Sequence, residues 1–300
     1  MNLWTQVDSN KRKSIFLIFG FTVFVVALGW LFSYVYDSYT ILAIAIFIAL
    51  FQALLSYYAG DAIVIATSGA REIQKKDNPM LWNVVENLAI TSGLPMPKVY
   101  IIPDPAPNAF ATGRDPKHAS IAVTVGLLER LDKNELAGVI AHEMSHVGNY
   151  DIRLSTIVVV LVGVIAVLSD IFIRSRIFGF GRRDSRNEGG QLIAILAIVA
   201  AILAPIVATI VQLAISRKRE FLADADGALL TRYPEGLASA LEKISGYKQP
   251  MTHVSSATTH LYISNPLGAE GEKEEGFFSK IFSTHPPIKE RIKVLRQMDI

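Results

Sequence analysis

Long apolar runs without charged residues dominate the hydrophobic pattern of this chain. Residues 14–36 and 38–60 each continue for 23 positions before a charged side chain appears. At a rise of about 1.5 Å per residue, either run can cross a hydrocarbon core roughly 30 Å thick. The first run also exceeds the roughly 7 to 15 apolar residues found in a cleaved signal peptide. Both runs are therefore predicted to be transmembrane helices, the first of them retained as an anchor.

Two further apolar blocks follow in the second half of the chain. Residues 154–169 form a block of 16 charge-free positions that ends at Asp170, which is short for a span unless residues 171–173 extend it. Residues 189–216 contain 28 charge-free positions. They include Pro205, a residue type that kinks helices. The two blocks are predicted to form a hairpin, either fully transmembrane or re-entrant.

The polar residues between the second and third blocks predict a small β-sheet flanked by helices. Three short runs rich in β-branched and aromatic residues are separated by Pro, Gly and Asp, which favour turns. They lie at 98–102, 108–112 and 120–124. Before them, residues 79–92 carry apolar side chains at helical spacing. After them, Asp132 and Glu135 form a capping box for a helix that ends near Gly148.

The polar segment after the fourth block is predicted to be helical. Its beginning continues the helix of the fourth block into water, and a turn at residues 233–236 leads to another amphipathic helix. Pro286 and Pro287 suit the first turn of a final helix with an apolar face.

The composition agrees with a membrane protein and restricts its chemistry. Of the 300 residues, 51% are hydrophobic and 19% are charged, and the mean hydropathy is +0.36, which is unusual for soluble domains. The absence of cysteine excludes disulfides, thiolate ligands and cysteine nucleophiles. A net charge of +2, without a basic stripe that carries aromatic residues, gives no reason to expect nucleic-acid binding. Any bound metal must therefore be held by histidine and carboxylate side chains.

The sequence HEMSH at residues 142–146 has the spacing of a zinc site. Positions i and i+4 share one face of a helix, so His142 and His146 can direct ring nitrogens at a single ion. Glu143 lies beside them, where it can act as general base toward a water activated by the metal. So short a pattern also arises by chance, and either histidine could simply be satisfied on a helix surface. A catalytic zinc ion requires a third protein ligand.

Glu220 is the candidate for that third ligand. It lies in the sequence EFLAD, and Asp224 follows four residues later on the same helical face. A carboxylate one turn from a ligand can hydrogen-bond a ligand histidine and fix its tautomer. The alternative is an ordinary solvated acidic face after a basic helix end. The two motifs together are more specific than either alone.

The order of these motifs resembles a known family. HEMSH, an apolar hairpin and EFLAD about 74 residues later, after two amino-terminal spans, are together similar to the HtpX-type membrane zinc metallopeptidases, relatives of the CAAX prenyl endopeptidases. NAFATG and THPPIKERI extend the similarity over nearly the whole chain. The resemblance implies a membrane α-helical protein with a zincin-like, gluzincin-type α+β catalytic domain. It also implies one Zn²⁺ per chain, held by His142, His146 and Glu220.

The resemblance also implies roles for further residues. Glu143 would be the general base. His285 and Arg291 would lie near the cleft, with His285 as a candidate for stabilising the oxyanion. For His285, a plain turn before the final helix is an equally good interpretation. The segment expected along the substrate backbone consists of Asn108, Ala109, Phe110 and Ala111, although inward packing of the phenylalanine in a strand needs no substrate.

The expected organisation has four parts. Residues 1–60 form two transmembrane helices, residues 61–153 the first half of the catalytic domain, residues 154–216 the hairpin and residues 217–300 the second half. The implied function is hydrolysis of peptide bonds in misfolded or damaged membrane proteins. The partners would be polypeptide substrates and the lipid bilayer.

The charge distribution predicts which side of the membrane the site faces. Lys11, Arg12 and Lys13 precede the first span and the loop around Asp37 has no basic residue, which favours a cytoplasmic amino terminus and catalytic domain in a bacterial-type inner membrane. Glu220 must reach the same ion as the histidines, so an even number of crossings separates them. A zinc-dependent membrane transporter or metal sensor is the alternative function. Transport sites, however, need ionisable residues within the spans, and the apolar blocks have almost none.

Overall fold

The structure is a computed structural model that describes residues 3–35, 37–177, 216–252, 254–255, 257–268 and 286–299. Its first two helices, α1 (Leu3–Val35) and α2 (Tyr39–Tyr58), pack against each other. Many of their large apolar side chains are exposed; Phe16 and Phe47, for example, are 68% and 69% exposed. Such surfaces are unfavourable in water and suit contact with lipid.

Two helices among the described residues are long and apolar enough to cross a membrane, at Gln6–Tyr34 and Tyr39–Tyr58. These are the two predicted amino-terminal spans, whose helical character is thereby confirmed. A third crossing is reached only if α6 (Lys133–Gly148) and residues 151–165 of α7 (Asp151–Ile177) count as one span, although they are bent by 82°.

A four-stranded mixed sheet follows the short helix α3 (Gly60–Thr67). The strands are β1 (Arg71–Glu72), β2 (Lys98–Ile102), β3 (Ala109–Gly113) and β4 (Ala119–Thr124). They lie in the order β1-β2-β4-β3, with β2 and β4 parallel and both edge strands antiparallel to their neighbours. The three predicted strands are confirmed to within one residue at each end, and β1 is too short to show a hydrophobic pattern. β3 is an edge strand, a position that matters for the site.

Local signals fix the ends of the helices that pack on the sheet. Asn78 caps α4 (Pro79–Ser92) by accepting a hydrogen bond from the backbone N–H of Leu81, and Gly93 ends it in the left-handed conformation with φ 68°. α5 (Val125–Arg130) follows β4. The capping box of Asp132 and Glu135 starts α6, which ends at Gly148 as predicted.

α7 bears on the third predicted apolar block. The helix continues past Asp170 to Ile177, so the block is not interrupted there. Near its beginning, apolar side chains pack into a buried cluster with Leu17 and Phe21 of α1. These side chains are Leu154, Ile157, Val158, Leu161 and Ile165. The fourth predicted block, residues 189–216, lies outside the described residues except for Ser216.

The carboxy-terminal helices pack into the core that α4 and α6 form with the sheet. They are α8 (Arg217–Thr231), α9 (Pro234–Ser245) and α10 (Ile288–Arg296). Leu241 of α9 and Leu295 of α10 join Leu81 and Ile140 in one buried cluster, so residues distant in sequence share the core beneath the sheet.

One of two boundary predictions in this region is wrong. Ser216 is extended, with φ −148° and ψ 111°, and α8 begins at Arg217. It therefore does not continue a helix of the fourth block, and the Ser216 carbonyl accepts from the first-turn N–H groups of Arg219 and Glu220. The turn expected at residues 233–236 is present, since the Gly236 N–H donates to the Tyr233 carbonyl at 3.1 Å. It is also the first turn of α9, because Pro234 occupies the first helical position, where its fixed φ suits a helix.

Candidate metal centre

α6 carries two histidines and a glutamate into the buried core. His142 and Glu143 are 1% and 2% exposed. The Nε2 atoms of His142 and His146 lie 3.2 Å apart, since residues four positions apart share one face of the helix.

α8 brings Glu220 to the same point. Its carboxylate oxygens lie 3.6 Å from His146 Nε2 and 3.9 Å from His142 Nε2. One potential ligand atom from each of the three residues lies within 4.8 Å of the others. Atoms bound at about 2.0 to 2.1 Å to a tetrahedral ion are about 3.4 Å from one another. The spacing of the three side chains therefore matches one tetrahedrally coordinated ion.

A glycine permits this approach of α8 to α6. A Cβ atom at Gly227 would lie 2.9 Å from the backbone nitrogen of His142 and 3.2 Å from its Cα. The first distance is shorter than Cβ contacts in proteins, so only glycine allows the two helices to be this close.

His142 is held from behind by Asp224. The Nδ1 atom of His142 lies 2.9 Å from Asp224 Oδ1. Arg291 in turn donates to both oxygens of the Asp224 carboxylate, at 2.9 and 2.7 Å, and to the carbonyl of Ile263 at 3.2 Å. Burial raises the pKa of Asp224, but Arg291 and His142 outweigh it and lower the pKa to about 2. Asp224 is therefore a carboxylate and accepts a hydrogen bond from His142 Nδ1.

His146 has a corresponding carboxylate, Asp151, which the sequence analysis missed. His146 Nδ1 lies 3.0 Å from Asp151 Oδ2. Asp151 comes five residues after His146, a spacing that would not share its face on a continuous helix. The contact exists because α6 ends at Gly148 and Tyr150 has a left-handed φ of 60°, after which α7 turns away by 82°.

The carboxylates of Asp224 and Asp151 orient the two histidines so that their Nε2 atoms can bind a cation. Because carboxylates accept hydrogen bonds, each Nδ1 atom carries a proton, which leaves the Nε2 lone pairs of His142 and His146 directed at each other. Burial lowers the pKa of His142 to about 4. For His146, burial is outweighed by Asp151 and Glu220, which raise the pKa to about 9. Two lone pairs and the Glu220 carboxylate at this distance need a proton or a metal ion between them.

Glu143 lies beside the two histidines and Glu220, but not on the face of α6 that the histidines share. Burial raises its pKa to about 7, opposed by His146 and reinforced by Glu220. The backbone of Ala111 in β3 also interacts with the carboxylate and favours its charged form. The edge strand and the carboxylate next to the histidines are thus neighbours.

The four residues predicted along the substrate differ in what they contact. Asn108 pairs with β4 through its backbone, while its side-chain amide donates to the carbonyl of Ser264 at 3.0 Å. The carbonyl of Ala109 accepts from the N–H of Ile263 at 2.9 Å. This end of the β3 edge is therefore covered by residues 263–264 of the chain itself.

The remaining two residues point in opposite directions. Phe110 is fully buried and its ring meets the Tyr262 ring edge-on, with centroids 5.2 Å apart. The Ala111 side chain is also buried, at 4% exposure, in the core cluster on the other face of the sheet. Its backbone faces away from β4, as that of Ala109 does, and lies beside Glu143. Of the predicted catalytic residues, Arg291 lies behind Asp224 as described, and His285 lies outside the described residues.

The chain is similar to known proteins over nearly its whole length. The model of peptidase family M48 matches residues 75–299. A protein named Protease HtpX homolog from Tropheryma whipplei is 49% identical over 300 residues, which cover 99% of this chain and 98% of the relative. A protein of the same name from Dictyoglomus thermophilum is 46% identical over 297 residues, covering 98% and 94% of the two chains.

A solved structure is also similar. The crystal structure of S. mikatae Ste24p matches with a TM-score of 0.48 and 18% identity, covering 98% of this chain and 66% of that chain. The chain belongs to peptidase family M48 and is a membrane metallopeptidase, as the HtpX-type resemblance predicted.

Proposed function

We propose that this metallopeptidase is a zinc endopeptidase that cleaves misfolded or damaged membrane proteins at a site facing the cytoplasm. The observation that carries the proposal is the convergence of His142, His146 and Glu220 next to the buried Glu143. Two imidazoles and one carboxylate suit zinc, whereas magnesium and calcium prefer sites made entirely of oxygen.

The side chains divide the work of hydrolysis. His142, His146 and Glu220 would hold the ion, which when bound would polarise the scissile carbonyl and make a water more acidic. Glu143 accepts the proton of the attacking water and later delivers it to the leaving amine. Its position beside the ligands supports this role, because a general base must reach the water without occupying a ligand position.

The substrate backbone is proposed to lie along the edge strand β3. The backbone of Ala111 lies on the outer side of β3 next to Glu143, so an extended peptide paired there would present a carbonyl to the ion. Asn108 and Ala109 are engaged by residues 263–264 and would limit the length of that pairing. We assign Asn108, Ala109 and Phe110 to shaping this end of the β3 edge, and the backbone of Ala111 to direct contact with substrate.

Arg291 is proposed to act on catalysis through Asp224 and not by touching the substrate. Its guanidinium is fully buried and makes a two-pronged hydrogen bond with Asp224, which holds His142. His285 remains our candidate for stabilising the oxyanion.

Membrane proteins are proposed as substrates because the catalytic residues are tied to helices that suit lipid. The polar end of α1 contacts the loop after α6, and it carries Lys11, Arg12 and Lys13. The metal centre therefore lies at the same end of α1 as these basic residues, which supports a cytoplasmic site.

The proposal is tested with the full-length protein in detergent or lipid. Treatment with a chelator should abolish cleavage of a partly unfolded membrane protein, and zinc in slight excess should restore it. Magnesium and calcium at the same concentration are the matched controls and should restore nothing. Recovery of cleavage with magnesium alone would contradict a zinc site made of two histidines and one glutamate.

A further inference from the structure

α1 carries a polar stripe where it meets the segments that flank the metal centre. Gln6, Asn10 and Ser14 are 5%, 0% and 2% exposed and follow one another at intervals of four residues, on one helix face. The next buried positions on this helix are apolar, Leu17 and Phe21. A buried amide is unfavourable unless it is hydrogen-bonded, so the partners of the stripe are informative.

The side chain of Asn10 bonds two separate segments of the chain. Its Nδ2 atom donates to the carbonyl of Asn149 at 2.9 Å and to Asp151 Oδ1 at 2.7 Å. Its Oδ1 atom accepts from Arg219 Nη1 at 3.2 Å. Both amide hydrogens and the carbonyl oxygen are used, which defines a single orientation of this side chain.

Both segments lead directly to the metal centre. Asp151 contacts Asn10 with one carboxylate oxygen and His146 Nδ1 with the other, at 3.0 Å. Arg219 precedes Glu220 and also lies 3.5 Å from Asp151. Asn10 is therefore one hydrogen bond away from the carboxylate that orients a histidine of the site.

We propose that Asn10 is a positioning residue of the metal centre, so that docking of the first membrane helix sets the orientation of His146 and the affinity for the ion. This inference rests on the proposed zinc site. The rotation of the Asp151 carboxylate decides where His146 Nε2 points, and the 2.7 Å bond from Asn10 restrains that rotation. α1 is in this view a part of the catalytic unit in addition to an anchor.

The test measures zinc affinity, not activity. In the purified full-length chain, the dissociation constant is obtained by competition with a chromophoric chelator, and the melting temperature of the zinc-free protein is recorded alongside. Asn10→Leu should weaken zinc binding by about 10- to 100-fold, as loss of partners outside the coordination sphere does. The matched control is Ser14→Ala, one turn away on the same face. Ser14 donates to a carbonyl of its own helix, and its removal should change affinity by less than about two-fold.

A second variant covers the case in which Asn10→Leu does not fold. Asn10→Asp keeps an acceptor for Arg219 but replaces the donor to Asp151 by an oxygen, and should likewise weaken zinc binding. If wild-type protein binds zinc and both variants bind it equally well, the positioning role is overturned while the zinc site stands. If the wild type binds no zinc, the proposed function itself fails.

A double-mutant comparison separates positioning from a general packing defect. In an Asp151→Ala background, Asn10→Leu should change zinc affinity by less than about two-fold, because the connection to His146 is already broken. Losses of equal size in both backgrounds would contradict the proposal.

Discussion

Each histidine of the metal centre is oriented by its own carboxylate, and these carboxylates have different supports. Asp224 is fixed by the buried Arg291, whereas Asp151 is fixed by groups that include Asn10 of α1. Glu143 has no such orienting role in the group and lies beside it. The roles of the glutamates can therefore be separated by substitution.

Glu143→Gln keeps the size of the side chain and removes the base. Hydrolysis should fall by about 10²- to 10⁴-fold, the range attributed to general base catalysis, while zinc content stays near one per chain. Peptide cleavage and metal analysis on the same preparation check this. Wild-type cleavage by the variant would show that another group accepts the proton.

Glu220→Ala should behave differently from the substitution at Glu143. Because Glu220 is proposed to be a ligand, its loss should lower zinc content and activity together. Metal analysis after dialysis against trace zinc measures the difference. A zinc content equal to that of the wild type would remove Glu220 from the coordination sphere.

At the scale of elements, the site depends on how closely α8 approaches α6. Glu220 and Asp224 lie on α8, while His142, Glu143 and His146 lie on α6, so a shift between the helices changes the ligand distances. Gly227 sets that approach, since a Cβ atom there would meet the backbone of His142.

Gly227→Ala should therefore destabilise the protein and weaken zinc binding. In an open helix interior the same change stabilises by roughly 0.5 to 1 kcal/mol, whereas overpacking here should cost about 1 to 3 kcal/mol. The control is Gly148→Ala, where the new Cβ would meet only Leu94 Cδ1 at 3.5 Å, an ordinary contact. The melting temperatures of both variants, measured by thermal unfolding, test this difference in stability. Equal melting temperatures would mean that α8 can move without loss.

At the scale of the whole molecule, the membrane orientation links the two halves of the site. His146 and Glu220 share one site although the predicted apolar hairpin separates them in sequence. Both ends of that hairpin must therefore lie on the same side of the membrane. The proposed cytoplasmic orientation applies to both halves.

Single cysteines can report this orientation because the chain has none. Thr40→Cys, exposed at the start of α2, should react with an impermeant maleimide in intact cells, and Thr91→Cys, exposed on α4, only after permeabilisation. Ser185→Cys, in the tip of the predicted hairpin, should react from outside if the hairpin spans. Reaction of Ser185→Cys only after permeabilisation would favour a re-entrant hairpin, and outside labelling of Thr91→Cys would overturn the cytoplasmic site.

Much of the fold could be predicted because it is encoded locally. The capping box at Asp132, the spacing of His142 and His146, and the two charge-free runs each act within a few residues or along one helix, so the pattern alone predicts them. The strands near the site followed from β-branched runs bounded by turn residues. The pairing of HEMSH with EFLAD was a hypothesis from the need for a third ligand, supported by the resemblance, since no local signal relates segments so far apart.

The tertiary structure decided what depends on distance between segments. Asp151 reaches His146 only because the helix is interrupted at Tyr150 and α7 lies at 82° to α6. The spacing of apolar residues along a helix does not predict such a change of direction. Asn10 lies at the polar end of α1, yet its partners are 139 to 209 residues away. Local patterns thus predicted the ligand histidines and the base, whereas long-range packing determined which buried groups orient them, because a hydrogen bond depends on position in space and not on separation in sequence.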